Sequence, residues 1–266
     1  MRSIKELMDL QNRTALVTGC NSPMGQSICE TLVELGCNLI CTDNDKKICS
    51  RLNNKLRVYE NISFKFISAD FSLIESRVKL VEAIKKSTPS IDVLINSAAM
   101  TGSYDGPGWK TNFKNQDIGV WNRALEINVT SIFQLCRDLS DLLSITNKGS
   151  IINISSIYGL YGPDYSIYQG TKMGNPAAYA VSKGGLIQLT KWLASTMAPS
   201  VRVNCISPGG VFDNQEEDFV KKYNLKTKLN RMANYEDFKG VIAYLSSDMS
   251  EYVTGQNIVI DGGWGI

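Results

Sequence analysis

A chain of 266 residues with 43% hydrophobic and 20% charged content has the material for one large α/β domain spanning 1–266. Its formal charge of +2 comes from scattered Lys and Arg rather than a basic stripe, which argues against a nucleic-acid partner. There is no His, which excludes His-based triads and His-containing zinc sites, and the seven Cys form no Cys-x-x-Cys pair.

The expected setting is the reducing cytoplasm, with no metal and no membrane partner. No apolar run approaches membrane-spanning length, and the first residues lack a signal-peptide core.

Taken in chain order, Thr14–Thr18 reads as a strand, followed by a helix over Ile28–Leu35. A second strand covers Asn38–Thr42, with a polar helix after it through about Leu56. Ile62–Ser68 and Asp92–Asn96 read as further strands, separated by a helix around Arg77–Lys85. Helices are then expected at Val120–Leu143, Ala177–Met197 and Tyr235–Leu245, and strands at Ser150–Ile154, Val201–Ile206 and Asn257–Ile260. Apolar strands alternating with helices predict a parallel sheet of about seven strands, helices on both faces, doubly wound in the Rossmann-like manner. Met100–Lys114 and Leu160–Asn175 read as loop insertions, both after strands, where such folds place their ligand crevice.

The first strand runs into Thr18-Gly19-Cys20-Asn21-Ser22-Pro23-Met24-Gly25. A glycine turn opening a helix brings backbone N–H groups and the positive helix end to a pyrophosphate. By itself this also describes an ordinary tight strand–helix turn. Asp43, closing the second strand, stands where a carboxylate accepts from an adenosine ribose; an anion there disfavours a 2′-phosphate, so NAD is expected over NADP. Asp45 is a neighbouring alternative.

Tyr and Lys four residues apart share a helix face, and a nearby ammonium favours the phenolate, so such a Tyr can trade a proton with a carbonyl or alcohol oxygen. The spacing occurs three times, at Tyr168/Lys172, Tyr179/Lys183 and Tyr235/Lys239. Gly174 and Pro176 oppose a helix through the first pair, and the third opens an acidic helix. Tyr179-Ala180-Val181-Ser182-Lys183 begins a long helix with small residues around it and an apolar face at Leu186, Leu189 and Leu193.

These segments resemble the short-chain dehydrogenase/reductase family along nearly the whole chain. The glycine loop is similar to the family's Thr-Gly-x-x-x-Gly-x-Gly, with Pro23 in place of the middle glycine. Asn175–Thr190 resembles its catalytic helix, and Ile151–Ser156 the strand carrying its catalytic serine, matched by Ser156. The gap from Ser156 to Tyr179 is longer than the family's, which reads as an insertion. Asn96-Ser97-Ala98-Ala99 resembles the Asn-Asn-Ala-Gly segment, with Ala99 in place of its glycine; Ser207–Val211 resembles the turn facing the nicotinamide, with Asp213 where a Thr is usual.

The resemblance implies carbonyl/secondary-alcohol interconversion with a nicotinamide cofactor. Tyr179 would be the acid/base, Ser156 would orient the substrate oxygen, Lys183 would hold the ribose and assist Tyr179, and Asn128 would complete a proton relay. Gly19, Asn21, Met24, Gly25, Asp43, Asp70, Phe71, Asn96, Ala98, Tyr179, Lys183, Pro208, Gly209 and Val211 would line the cofactor. The insertions offer Tyr104, Tyr168 and Gln169 to substrate, and their mixed aromatic and polar character suits a sugar as readily as loops packed on themselves. The stretch ending at Tyr179 looks like bacterial flagellin-modification and nonulosonic-acid-pathway oxidoreductases. This implies a sugar or sugar-nucleotide substrate, with a 3-ketoacyl or small alcohol/ketone reductase as the alternative. A catalytically silent NAD-binding sensor or regulatory subunit is the reading from another class. The family also implies a homotetramer or homodimer.

Overall fold

A computed structural model describes residues 1–44, 52, 56, 58, 59, 62–102 and 106–266. The expected Tyr104 and Asp45 lie outside the described residues, as does most of the helix expected through about Leu56. Seven parallel strands form one sheet: β1 Thr14–Thr18, β2 Asn38–Asp43, β3 Phe64–Ser68, β4 Val93–Asn96, β5 Gly149–Ile154, β6 Val201–Pro208 and β7 Asn257–Ile260. Their order is β3-β2-β1-β4-β5-β6-β7. The winding direction reverses between β1 and β4, which opens a crevice at their carboxyl ends. The doubly wound Rossmann-like architecture is as expected from the alternation of strands and helices.

Side chains alternate across the sheet, and both faces are apolar because helices cover both. Ala15, Val17, Val93, Ile95, Ile152 and Ile206 pack to one side with Ile28, Leu32, Ile242 and Leu245. Leu16, Leu94, Ile151 and Val203 pack to the other with Leu80, Ile84, Leu135, Leu186 and Leu193. The α-helices among the described residues are α1 Ile4–Met8, α2 Pro23–Glu34, α3 Ile74–Lys85, α4 Ile118–Leu125, α5 Ser131–Asp138, α6 Ser140–Ser144, α7 Ala177–Met197, α8 Glu217–Lys226 and α9 Lys239–Ser246.

Three boundaries differ from expectation for physical reasons. α2 starts at Pro23 rather than Ile28, because Ser22 caps it by accepting from the Gly25 N–H and proline fits a helix's first position. The expected helix 120–143 is broken into α4, a π-helical turn at Glu126–Thr130, α5 and α6. The expected helix from Tyr235 begins as a 3₁₀ turn over Tyr235–Phe238 before α9. α8 was not expected; it carries Phe219 and Tyr223 four residues apart on its buried face.

Far from the crevice, Asp248 gathers Arg2, Arg13 (2.5 Å) and Lys148 (3.1 Å), tying the N-terminal segment to the turn after α9. Burial alone would push its carboxyl up; the hydrogen bonds from Arg13, Arg2 and Lys148 outweigh this and hold it well below the usual range. A depressed carboxyl contributes stability above its unfolded pKa of about 4 and loses it as pH falls below that value. Asp248→Asn is therefore expected to cost about 2 kcal/mol at pH 7. The difference from wild type should shrink as pH drops below about 4. Urea denaturation at pH 7 and pH 3 checks this; a penalty equal at both pH values would contradict it.

Candidate active site

A cleft of about 1000 Å³ runs along the carboxyl ends of the strands. At one end the β1–α2 turn forms its floor. Gly19 has φ +68°, and a Cβ there would lie 2.7 Å from the Ala98 backbone. A Cβ on Gly25 would lie 2.1 Å from the Gly19 carbonyl oxygen. Only glycine permits this closeness at both positions. Ser22 Oγ donates to the Gly19 carbonyl at 2.9 Å and accepts from the Gly25 N–H at 3.0 Å, bracing the turn. Thr18 Oγ1 accepts from the N–H groups of Ser97 (3.1 Å) and Ala98 (3.0 Å), holding the loop after β4 against β1.

Asp43 lines the cleft at the end of β2, its carboxylate accepting from the backbone N–H of Asn21 at 3.1 Å and of Asn44 at 2.8 Å. Asn21, Met24, Asp70, Phe71, Ala98, Pro208, Gly209 and Val211 also line it. Gly25 lies beneath the wall, and Asn96 is buried within β4, donating to Asn153 Oδ1 at 2.8 Å. These two shape the crevice without lining it. Pro23, the departure from the resembled loop, occupies the first position of α2, where its missing N–H removes no intrahelical bond. A compact glycine turn, a capped helix start and a carboxylate at the end of β2 fit a dinucleotide.

At the other end, α7 docks on the end of β5 through two reciprocal bonds. Ser155 Oγ donates to the Lys183 carbonyl at 2.8 Å, and Lys183 Nζ donates to the Ile154 carbonyl at 2.7 Å. Gly159 approaches the same helix turn so closely that a Cβ would lie 2.7 Å from the Lys183 carbonyl carbon. Ser156, Tyr179 and Lys183 thereby share one wall of the cleft. Lys183 Nζ lies 5.7 Å from the centre of the Tyr179 ring. The α7 start is held from outside: the Ala177 N–H donates to Gln116 Oε1 at 3.0 Å.

The electrostatics differ from the simple expectation of a lowered tyrosine. Burial raises the Tyr179 pKa, and the Ser156 hydroxyl only partly opposes it. Burial also drives Lys183 down to about 8, against the pull of Cys205. With its Nζ engaged by the Ile154 carbonyl, Lys183 does not overcome the desolvation of the phenol.

Asn128 sits fully buried in the π-helical turn. Its Oδ1 accepts from the Met100 N–H at 2.7 Å; its Nδ2 donates to the Met100 carbonyl (3.1 Å) and to Ser182 Oγ (2.9 Å). The side chain thus fastens the loop after β4 to α7 and does not line the cleft. Arg77 steadies the same turn, donating to Glu126 at 2.5 Å and to Gln134 at 2.7 Å.

Tyr168 lines the cleft, its hydroxyl paired with that of Tyr158 at 2.5 Å. Burial, reinforced by Tyr158, raises its pKa strongly. Its ring packs on Phe219, which leads on to Tyr223 and Trp264. Gln169 is exposed outside the cleft, with its carbonyl accepting from Lys222 Nζ at 2.6 Å, because the insertion turns outward onto α8 there. The sequence reading missed Tyr158, Asn175 and Tyr223 as cleft-lining groups. Only for Tyr223 was there a signal, its spacing from Phe219. Among the described residues no cluster of His, Cys, Asp or Glu could hold a metal ion, and no helix is long and apolar enough to cross a membrane.

Residues 19–265 match the family model described as enoyl-(acyl carrier protein) reductase. The chain belongs to the short-chain dehydrogenase/reductase family. It is 27% identical to the post-translational flagellin modification protein A of Campylobacter coli over 97% of this chain and 100% of that one. A short-chain dehydrogenase from Leptospira borgpetersenii with bound NAD⁺ is 33% identical, with a TM-score of 0.83, over 100% of this chain and 97% of that one. A Pseudomonas aeruginosa RhlG/NADP active-site complex is 26% identical, with a TM-score of 0.85, over 98% of this chain and 99% of that one. The family is one of oxidoreductases that use nicotinamide cofactors, with NAD⁺ in one of these structures and NADP in the other.

The glycine geometry yields a direct test. Gly25→Ala forces the Gly19 carbonyl aside and is expected to cost about 2 kcal/mol of stability. It should also weaken binding of the nicotinamide cofactor about tenfold or more. Denaturation and fluorescence titration measure both; an alanine variant with wild-type stability and affinity would overturn the assignment of this turn.

Proposed function

We propose that this protein is an NAD(H)-dependent oxidoreductase that interconverts a carbonyl and a secondary alcohol. Its proposed substrate is a sugar or sugar-nucleotide of bacterial surface-glycan or flagellin modification. The observation that carries the reading is the shared cleft wall of Ser156, Tyr179 and Lys183, continuous with a crevice that ends at Asp43. The nicotinamide, when bound, supplies or accepts the hydride. Tyr179 gives its proton to the carbonyl oxygen in reduction and takes it back in oxidation; its raised pKa keeps the proton available at neutral pH. Ser156 donates a hydrogen bond to the same oxygen. Lys183, buried beside the Tyr179 ring, supplies positive charge as the phenolate develops. The Asn128 side chain is committed to Met100 and Ser182, so its proposed part in the relay falls to the backbone of the π-helical turn.

The NAD preference rests on Asp43, whose carboxylate would face a 2′-phosphate. The sugar substrate is supported by the likeness to the Campylobacter coli flagellin modification protein and by the polar groups at the Tyr158–Tyr168 end of the cleft. The family model's acyl-carrier description favours the second reading, a ketoacyl or small ketone reductase. Self-association as a homodimer or homotetramer is supported by exposed Ile118, Val181 and Trp192 on α4 and α7. Sedimentation velocity on the purified protein reads this directly, and a monomer at micromolar concentration would exclude it.

Fluorescence titration is expected to give tighter binding of NADH than NADPH, with Asp43→Ala narrowing the gap about tenfold. Tyr179→Phe is expected to reduce turnover of the best substrate in a sugar, nucleotide-sugar and ketone panel by about a hundredfold or more. Equal affinity for the two cofactors would remove the NAD assignment. Full activity in Tyr179→Phe would remove the mechanism.

A further inference from the structure

Asn175 closes the insertion and immediately precedes Pro176, from which α7 starts toward Tyr179. It lines the cleft, yet it is only 6% exposed, and neither its Oδ1 nor its Nδ2 has a hydrogen-bond partner among the described residues. Buried side-chain amides are normally paired, because an unpaired one forfeits its hydration without return. Neither neighbouring element provides the missing partners. The Tyr158 hydroxyl is near enough for the amide to favour its phenolate but stands outside hydrogen-bond geometry, being paired with Tyr168 instead. Asn175 stands one turn before Tyr179, where the Tyr179 N–H donates to the Pro176 carbonyl at 3.0 Å, and both side chains line the same cleft. A ligand group that satisfied Asn175 would therefore lie near the atoms between which the proton moves.

The chemistry of that group follows from the amide itself, which offers one acceptor and one two-hydrogen donor. A carboxylate or ketone oxygen engages only the donor, and an alkyl chain engages neither. A hydroxyl both donates and accepts, so it alone of these satisfies the two ends. We infer that Asn175 is a specificity residue that reads a hydroxyl on the carbon next to the reacting one, which makes α-hydroxy ketones and vicinal diols the substrate class of this cleft. The inference rests on the carbonyl/alcohol reading of the site and narrows it. A rigid start to α7 holds Asn175 and Tyr179 in constant relation, and this is what lets one hydroxyl be recognised while its neighbour carbon reacts.

Acetoin and 2-butanone differ by that one hydroxyl, so they form the test pair. With the reduced nicotinamide the protein binds best, wild-type kcat/KM is expected to favour acetoin about tenfold or more. Asn175→Leu should bring the ratio near one, mainly through a higher KM for acetoin, and Asn175→Asp, which keeps an acceptor, should retain part of the preference. Thermal melts confirm folding, with Asn175→Ala replacing the leucine variant if that one fails to fold. Equal use of the two ketones by wild type, or an undiminished preference in Asn175→Leu, overturns the inference. Should neither ketone show Tyr179-dependent turnover, the carbonyl reading is what fails. The hydroxyl preference is then read from calorimetric titration of ribitol against 1,5-pentanediol. Tighter ribitol binding that Asn175→Leu abolishes supports it; equal or absent binding of the two overturns it.

Discussion

The docking of α7 against the end of β5 governs everything the cleft can do. Two bonds in opposite senses make it: the Ser155 hydroxyl to the Lys183 carbonyl, and the Lys183 ammonium to the Ile154 carbonyl. Because donor and acceptor alternate between strand and helix, a slide of one along the other breaks both bonds together. Bonds to a charged donor in a water-poor setting are also the stronger kind. The cost is visible in Lys183, whose burial pushes its pKa down to about 8. Ser156 on the strand side and Tyr179 on the helix side inherit their relative placement from this joint.

A second constraint reaches the joint from the neighbouring helices on the same face of the sheet. The π-helical turn at Glu126–Thr130 buries Asn128, which clasps Met100 on one side and Ser182 on the other. Met100 continues the loop that Thr18 pins to β1. The glycine turn, the loop after β4 and α7 are therefore linked by short polar contacts rather than by the apolar core alone. Side-chain amides with fixed geometry specify such a register better than packing does. This accounts for a buried asparagine where an apolar residue would cost less to bury.

Most of the sheet was legible in the sequence because each strand is a short apolar run bounded by polar or glycine residues. α7 and β7 have the boundaries read from periodicity. The misreadings share one cause, which is that tertiary contacts override local pattern. Pro23 and Gly25 look like loop residues until the Ser22 cap makes them the first turn of α2. The stretch 120–143 looks like one helix until Asn128 turns inward to Met100. Nothing in the local pattern singles out Ser155, and only the position of α7 reveals its bond to Lys183. Gln169 has the polarity of a substrate ligand, but the insertion faces it outward.

The insertion between Ser156 and Tyr179 shows how a long connection can leave the residues at its two ends in place. Its midpoint packs Ile167 and Tyr168 on Phe219 and Tyr223 of α8, a small apolar cluster that backs one wall of the cleft. Its first residues stay in place because Gly159 touches the Lys183 turn, and its last are tied where the Ala177 N–H meets Gln116. Both ends are anchored by contacts that do not depend on what lies between them. Loop closure becomes only slowly more costly with length, so added residues disturb the joint little. What the addition changes is the far wall of the cleft, where Tyr158, Tyr168 and Asn175 now stand. The same fold can thus keep one proton-transfer geometry while exchanging the surface that chooses what is brought to it.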